Sequence, residues 1–325
     1  MRYYLAPLEG ITGYIYRRAL HKYYPDGIDK YFAPFIMPYE KHILTKKELN
    51  QLMPEHNEGI HLIPQIMTSD AKEVIRLEGA LRELGYDEYN LNLGCPSGTV
   101  VSKGRGAGFL SNVDGVDEYL DYILSNTRCK VSVKTRIGMH DTDEFYEILD
   151  VYNKYPLEEL IIHPRVRDEG YKGTVHRDMY EYAVCHSTNP LVYNGDITTV
   201  GDCTELVERL EDYTESTSRA DTVAVMIGRG VIANPSLIRD IYIGKSESDL
   251  YSCEAMATLR DFLGEIEQDY LSEFSGETPV LHKLKEIWSY LGIWYKELDP
   301  KAYKNLMKAK RISEYHIAMK SILAK

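Results

Sequence analysis

Cys95 stands in Asn92-Leu-Gly-Cys-Pro-Ser97, behind a β-rich run and just ahead of the glycine-rich segment Lys103-Gly-Arg-Gly-Ala-Gly108. A thiol titrates at about 8.5, so at neutral pH it holds a proton that it can give to carbon. Work as a thiolate would ask for a nearby histidine or helix dipole. Cys129, Cys185 and Cys253 have no such setting and read as small buried hydrophobes. The five cysteines are odd in number and contain no Cys-x-x-Cys, which argues against a disulfide framework or a zinc site and suits a reducing cytoplasm.

Lys134 interrupts the apolar run Val131-Ser-Val-Lys-Thr-Arg136. Facing a barrel axis, it would need an anionic partner or a lowered pKa. On the other face it would meet helices or solvent, and the run alone allows both. His163, in Ile161-Ile-His-Pro-Arg165, could touch a phosphate or a ring oxygen, or serve as a satisfied structural histidine. Arg165, Arg167, Lys172 and Arg177 surround Tyr171. Such a loop suits a polyanion with one base stacked on the ring, or is a charged loop neutralised in part by Asp168 and Glu169. Asn194-Gly195-Asp196 and Gly228-Arg229-Gly230 offer backbone N–H groups and one guanidinium, as a phosphate requires, although turns also use glycine. No metal-ligand spacing, Gly-x-Ser-x-Gly, Walker A loop or strand-borne Gly-x-Gly-x-x-Gly fingerprint occurs.

These residues follow eight β-rich runs, at 3–6, 28–36, 61–67, 88–94, 130–136, 159–164, 191–195 and 222–228. Between them lie stretches with helical spacing, among them 71–84, 116–124 and 145–152. Strands alternating with helices imply a parallel sheet. Polar groups at the carboxyl end of nearly every run imply a shared rim, as in a (β/α)₈ barrel, whereas an open sheet would spread them along an edge.

The 325 residues exceed the roughly 250 of such a barrel. The remainder, 246–325, reads as helices, with Thr278-Pro279 and Asp299-Pro300 as start signals. The expected organisation is an α/β barrel domain at 1–245 and a C-terminal helical bundle at 246–325, divided within 244–249. Net charge is −12, yet residues 278–325 hold ten Lys or Arg against four Asp or Glu. That segment is basic by six charges on a chain otherwise acidic, which suggests an accessory face for a polyanion or a set of solvated helix faces. No apolar run is long enough for a membrane span, and the first residues do not read as a signal peptide.

In order and spacing, seven segments resemble the tRNA-dihydrouridine synthase family. They are Ala6-Pro-Leu-Glu-Gly10, Gln65-Ile-Met67, Asn92-Leu-Gly-Cys-Pro96, Val133-Lys-Thr-Arg-Ile-Gly138, His163-Pro-Arg165 with Tyr171-Lys-Gly173, Asn194-Gly-Asp-Ile197 and Met226-Ile-Gly-Arg-Gly230. A looser echo follows at 282–291. The chain departs from the family pattern at Ile11-Thr-Gly13, where Thr-Asp often stands, at Pro164 for glycine and at Leu8 for methionine.

The resemblance implies a cytoplasmic, monomeric, metal-free enzyme that reduces a specific tRNA uridine to 5,6-dihydrouridine with FMN and NADPH. It implies FMN contacts from Pro7, Leu8, Gln65, Lys134, His163, Asn194, Gly195, Asp196, Gly228 and Arg229, with Lys134 favouring the reduced, negatively charged flavin. Cys95 would protonate C5 after hydride reaches C6. Asn92, Arg165 and Tyr171 would hold the uracil, and the basic C-terminal helices would hold tRNA. A flavin barrel acting on a free pyrimidine or another small enone would share the cofactor residues without needing the basic tail. A non-catalytic tRNA-binding protein would need the tail and no flavin. A flavin-free barrel lyase acting on a phosphorylated metabolite would show no flavin absorption.

Overall fold

The computed structural model describes residues 1–39, 42–214, 224–245 and 247–324. Its sheet has nine parallel strands, β1 (Arg2–Leu5), β2 (Lys30–Phe32), β3 (Leu62–Ile63), β4 (Gln65–Ile66), β5 (Glu88–Leu93), β6 (Lys130–Arg136), β7 (Leu160–His163), β8 (Leu191–Tyr193) and β9 (Ala224–Ile227). Their order is β3-β2-β1-β9-β8-β7-β6-β5-β4. Pro64 separates β3 from β4, because its nitrogen has no hydrogen to give to a ladder. β3 pairs with β2 and β4 with β5, so residues 62–66 close the ring between them. The eight expected runs therefore form a (β/α)₈ barrel, with the third run split in two. The second run is shorter than expected, and Thr222 and Val223 of the last lie outside the described residues, as do Ser246 and Lys325 of the C-terminal segment.

Side chains alternate across each strand. On β6, Thr135 faces the helix Glu144–Tyr152, where the Tyr152 hydroxyl donates to its Oγ1 at 2.9 Å. Ser132, Lys134 and Arg136 consequently point toward the barrel axis. This settles the open orientation of Lys134, since the helix-facing positions are Val131, Val133 and Thr135. The foot of the axis is also polar. Lys30 Nζ donates to Glu88 at 2.8 and 3.0 Å and to Glu159 at 3.2 Å, and the Tyr4 hydroxyl donates to Glu159. Leu91, Val131, Val133, Ile148, Leu149 and Tyr152 are among the buried apolar residues of the strands and helices outside the axis.

The chain divides into two compact units. One comprises Met1–Pro7, Asp29–Gly195 and Glu205–Met226, and carries the barrel strands except for the last residue of β9. The other comprises Leu8–Ile28, Asp196–Thr204 and Ile227–Lys325 and is helical. In the helical unit, Tyr14–Tyr23 lies along Cys253–Glu273, fastened by Arg18–Asp269, Lys22–Glu265 and Tyr14–Glu273 contacts. Glu277–Tyr295 buries Trp288, whose indole N–H donates to the Tyr315 hydroxyl at 3.1 Å. Asp299 caps Pro300–Lys308 by accepting from Ala302 N–H, as its sequence signal implied. Thr278 is no cap, because the helix already starts at Glu277 after Gly276. Pro279 is tolerated there, since the first turn of a helix has no intrahelical use for its N–H groups. No described helix is long and apolar enough to cross a membrane.

Candidate active site

Three layers of polar side chains climb the barrel axis above the foot cluster, each about 6–7 Å above the last because same-face positions are two residues apart. The lowest aligns Gln65, Asn90 and Ser132 on β4, β5 and β6. Asn92 and Lys134 are paired in the next, and Arg136 and His163 in the uppermost.

The amides of the lower two layers form one hydrogen-bonded chain. Asn92 donates to Gln65 at 2.8 Å, Gln65 to Asn90 at 2.8 Å and Asn90 to Ser132 at 2.9 Å. Asn90 and Ser132 are fully buried. Asn92 meanwhile accepts the N–H groups of Gly94 and Cys95 through Oδ1, at 3.1 and 3.0 Å. Asn92 thus shapes the turn that carries the thiol, a role its place in the motif did not reveal.

The glycine-rich segment has the same target. Ala107 N–H donates to the Cys95 carbonyl at 3.0 Å. Gly106 adopts φ +56°, and a Cβ there would lie 2.8 Å from the Cys95 carbonyl oxygen and 2.9 Å from its Cβ. Only a residue without a side chain permits this approach. Half-buried Cys95 is therefore gripped from below by Asn92 and from the side by residues 106–107.

Lys134 is half-buried, in the same layer as Asn92. Burial first, then the Arg136 guanidinium, pushes its ammonium down to about 7, with Cys95 acting weakly in the opposite direction. The Lys134 ammonium takes part in no side-chain hydrogen bond or ion pair among the described residues. A half-buried cation in that condition attracts an anion from outside the chain.

Arg136 was not among the residues singled out in the sequence, yet it fastens two loops. Its guanidinium donates to the Gly94 carbonyl at 3.1 Å, the Val166 carbonyl at 2.9 Å and the Gly170 carbonyl at 2.7 Å. It also lies 5.4 Å from the centre of the Tyr171 ring, a cation–π distance. Its signal was available: it stands two residues beyond Lys134, on the same face of the strand. Tyr171 is exposed and also lies 6.2 Å from the His163 ring. Arg165 is buried, and donates twice to the Gly173 carbonyl, at 2.9 and 2.6 Å. It braces the loop that presents Tyr171. Two further basic residues of that loop are partly neutralised, Arg167 by Asp168 at 2.9 Å and Arg177 by Glu205 at 2.6 Å.

At the end of β8, Asn194 donates to the Met226 carbonyl at 2.8 Å and thereby ties β8 to β9. Gly195 follows, and a Cβ there would lie 3.0 Å from the Tyr193 hydroxyl. The barrel unit thus brings Gln65, Asn92, Cys95, Lys134, His163, Arg165, Tyr171 and Asn194 onto the carboxyl ends of its strands and the loops after them, with Pro7 and Gly195 at its chain boundaries.

Leu8, Asp196, Gly228 and Arg229 belong to the helical unit. There Arg229 pairs with Asp196 at 2.6 Å, and Asp196 takes a positive φ of 30°. A Cβ at Gly230 would fall 2.2 Å from the Ile197 carbonyl oxygen, so glycine is obligatory where these two turns meet. Within the same unit, Lys283 donates to the Gly10 carbonyl at 2.6 Å and Lys285 to the Ala309 carbonyl. Those two cations brace the fold, while Lys301, Lys304, Lys308, Lys310 and Arg311 are exposed.

The family model described as dihydrouridine synthase matches residues 4–312. The tRNA-dihydrouridine synthase B of Pasteurella multocida is 29% identical over 239 residues, covering 73% of this chain and 68% of that protein. The tRNA-dihydrouridine(16) synthase of Cupriavidus necator is 26% identical over 248 residues, covering 73% and 72%. That of Pseudomonas syringae pv. tomato is 29% identical over 252 residues, covering 74% of each.

Proposed function

Since the chain belongs to the dihydrouridine synthase family, we propose that it reduces a uridine of tRNA to 5,6-dihydrouridine, with FMN as cofactor and NADPH as reductant, in the cytoplasm. The observation that carries the flavin reading is Lys134, a half-buried ammonium on the barrel axis with no anionic partner among the described residues. Its lowered pKa makes it receptive to the negative edge of a reduced isoalloxazine. His163 and Asn194 stand at the ends of the adjacent strands β7 and β8 with polar groups suited to the same ring, and the family resemblance adds Gln65 on β4. The family resemblance assigns Pro7, Leu8, Gly195, Asp196, Gly228 and Arg229 to the cofactor as well.

When bound, FMN supplies the hydride that reaches C6 of the uracil. Cys95 then protonates C5, its turn held by Asn92 and residues 106–107. Tyr171 offers a face for the uracil, backed by Arg136 and by the brace from Arg165. The uridine enters by leaving its stack, at a cost of a few kcal/mol. The exposed cations of the C-terminal helices, the segment beginning at 246, hold the tRNA backbone.

Cys95→Ala is the direct test. The variant keeps its flavin and its reduction by NADPH, but forms dihydrouridine ~10²–10⁴-fold more slowly, the usual worth of a positioned acid. Mass spectrometry of nucleosides from treated tRNA measures it, and wild-type turnover in the variant refutes the role. The same nucleoside analysis on tRNA from a strain lacking the protein identifies the uridine.

A further inference from the structure

The amide chain on the barrel axis runs in one direction from end to end. Each amide gives an N–H to the next, from Asn92 down to Gln65 and then across that layer to Asn90 and Ser132, and each accepts at its other end. A carboxamide can rotate by half a turn and exchange its donor and acceptor ends at little steric cost. Inside a barrel the partners decide which end is which. Turning one amide would bring two donors or two acceptors together, and a buried polar group left unpaired is costly. The orientation set at the bottom is therefore transmitted upward. At the top it obliges Asn92 to present oxygen to the Gly94 and Cys95 N–H groups, because its nitrogen is committed to Gln65.

We propose that Asn90, anchored by Ser132, is a positioning residue for Cys95. It lies a full layer below Asn92, which holds the thiol's turn, and it is assigned no contact with substrate or cofactor. It acts by fixing the rotation of Gln65 and, through Gln65, that of Asn92. Without the Asn90 acceptor, both rotations of Gln65 become accessible. Asn92 then loses the fixed acceptor for its nitrogen, and the turn that aims the thiol loosens. This inference rests on the reading of Cys95 as the proton donor, but its geometry can be tested without turnover.

The experiment compares Asn90→Leu, Asn90→Asp and Ser132→Ala in the full-length, flavin-loaded protein. One readout is steady-state dihydrouridine formation. The other is the rate at which iodoacetamide alkylates Cys95, followed on its own peptide by mass spectrometry. Asn90→Leu removes the acceptor and is expected to lower kcat per bound flavin at least tenfold, with KM for tRNA within about twofold. Alkylation of Cys95 should change at least threefold. Asn90→Asp still accepts from Gln65, and the Ser132 hydroxyl can turn to donate to it, so both readouts should remain within threefold of wild type. Ser132→Ala removes one oxygen at the foot of the chain and should shift both readouts in the direction of Asn90→Leu. It carries the test if the leucine variant does not fold. Wild-type alkylation rates in Asn90→Leu and Ser132→Ala overturn the proposal. Altered alkylation with wild-type dihydrouridine formation leaves the positioning intact, but removes Cys95 from the chemistry.

Discussion

Lys134→Met tests whether an ammonium is held at a cost on the barrel axis. Lowering its pKa from 10.5 to about 7 corresponds to ~5 kcal/mol, at ~1.4 kcal/mol for each tenfold change in proton affinity. Lys134 retains some exposure, and screening by water reduces this to about 2–3 kcal/mol. The sign follows from proton counting. Between pH 7 and 10.5 the unfolded chain holds a proton on this lysine that the folded chain has released, so wild-type stability rises with pH across that window. Below pH 7 both states are protonated and the full penalty applies. In protein stripped of bound small molecules, Lys134→Met should therefore be more stable than wild type by about 2–3 kcal/mol at pH 6. The advantage should largely vanish by pH 10. Urea unfolding of both proteins at several pH values measures the difference. Saturating reduced FMN, added without oxygen, should reverse the order, because it supplies the anion in wild type and finds no cation in the variant. A stability difference that is flat from pH 6 to pH 10 refutes the reasoning.

Three other perturbations address different parts of the structure. Gly106→Ala forces a Cβ against the Cys95 backbone at positive φ. It should destabilise by about 1–3 kcal/mol and slow dihydrouridine formation, and an unchanged melting temperature and turnover would contradict the close approach. Lys30→Met leaves Glu88 buried without its cation and Glu159 with Arg2 alone, at 3.3 Å, and should cost about 3–5 kcal/mol at neutral pH. Burial already raises the Glu88 pKa. Without Lys30 it rises further, the folded state keeps a proton that the unfolded state gives up, and stability falls as pH rises above the ordinary carboxylate range. Denaturation at pH 5 should consequently show a smaller loss than at pH 8, and an equal loss would remove the charge from the explanation. Lys304→Glu combined with Lys308→Glu should weaken tRNA binding and flatten its log–log salt dependence by about 1–2. An unchanged slope in filter binding would place the tRNA elsewhere.

Much of this was readable in the residues. Eight runs of β-rich sequence gave the barrel, because a parallel strand covered on both faces needs little more than apolar content and a stop. The split at Pro64 was visible in type but not in consequence, since the missing N–H matters only once β2 and β5 are known to flank it. Thr278-Pro279 resembled a helix start because the two residues have the right chemistry. Glu277, one position earlier, had already begun the turn. At the site, Cys95 and Lys134 stood out as a thiol after a strand and a cation within one. Asn90 and Arg136 did not, because an asparagine or arginine in a strand declares no partner. Their roles depend on register across β4, β5, β6 and β7. Asn92 and Arg165, which the family resemblance assigns to the uracil, also have structural partners that their types do not declare. The fold engages Asn92 Oδ1 with two N–H groups and the Arg165 guanidinium with the Gly173 carbonyl.

A ring whose lumen is filled with matched donors and acceptors is intolerant of exchange. If β5 alone were transplanted from a barrel with an aliphatic lumen, the graft would strand Gln65 below the thiol and Lys30 at the foot, although each donor strand would be sound in its own protein. Recombination between relatives should therefore succeed with β4, β5 and β6 carried as one block. The helices outside, which meet the strands mainly through apolar surface, should be exchangeable singly.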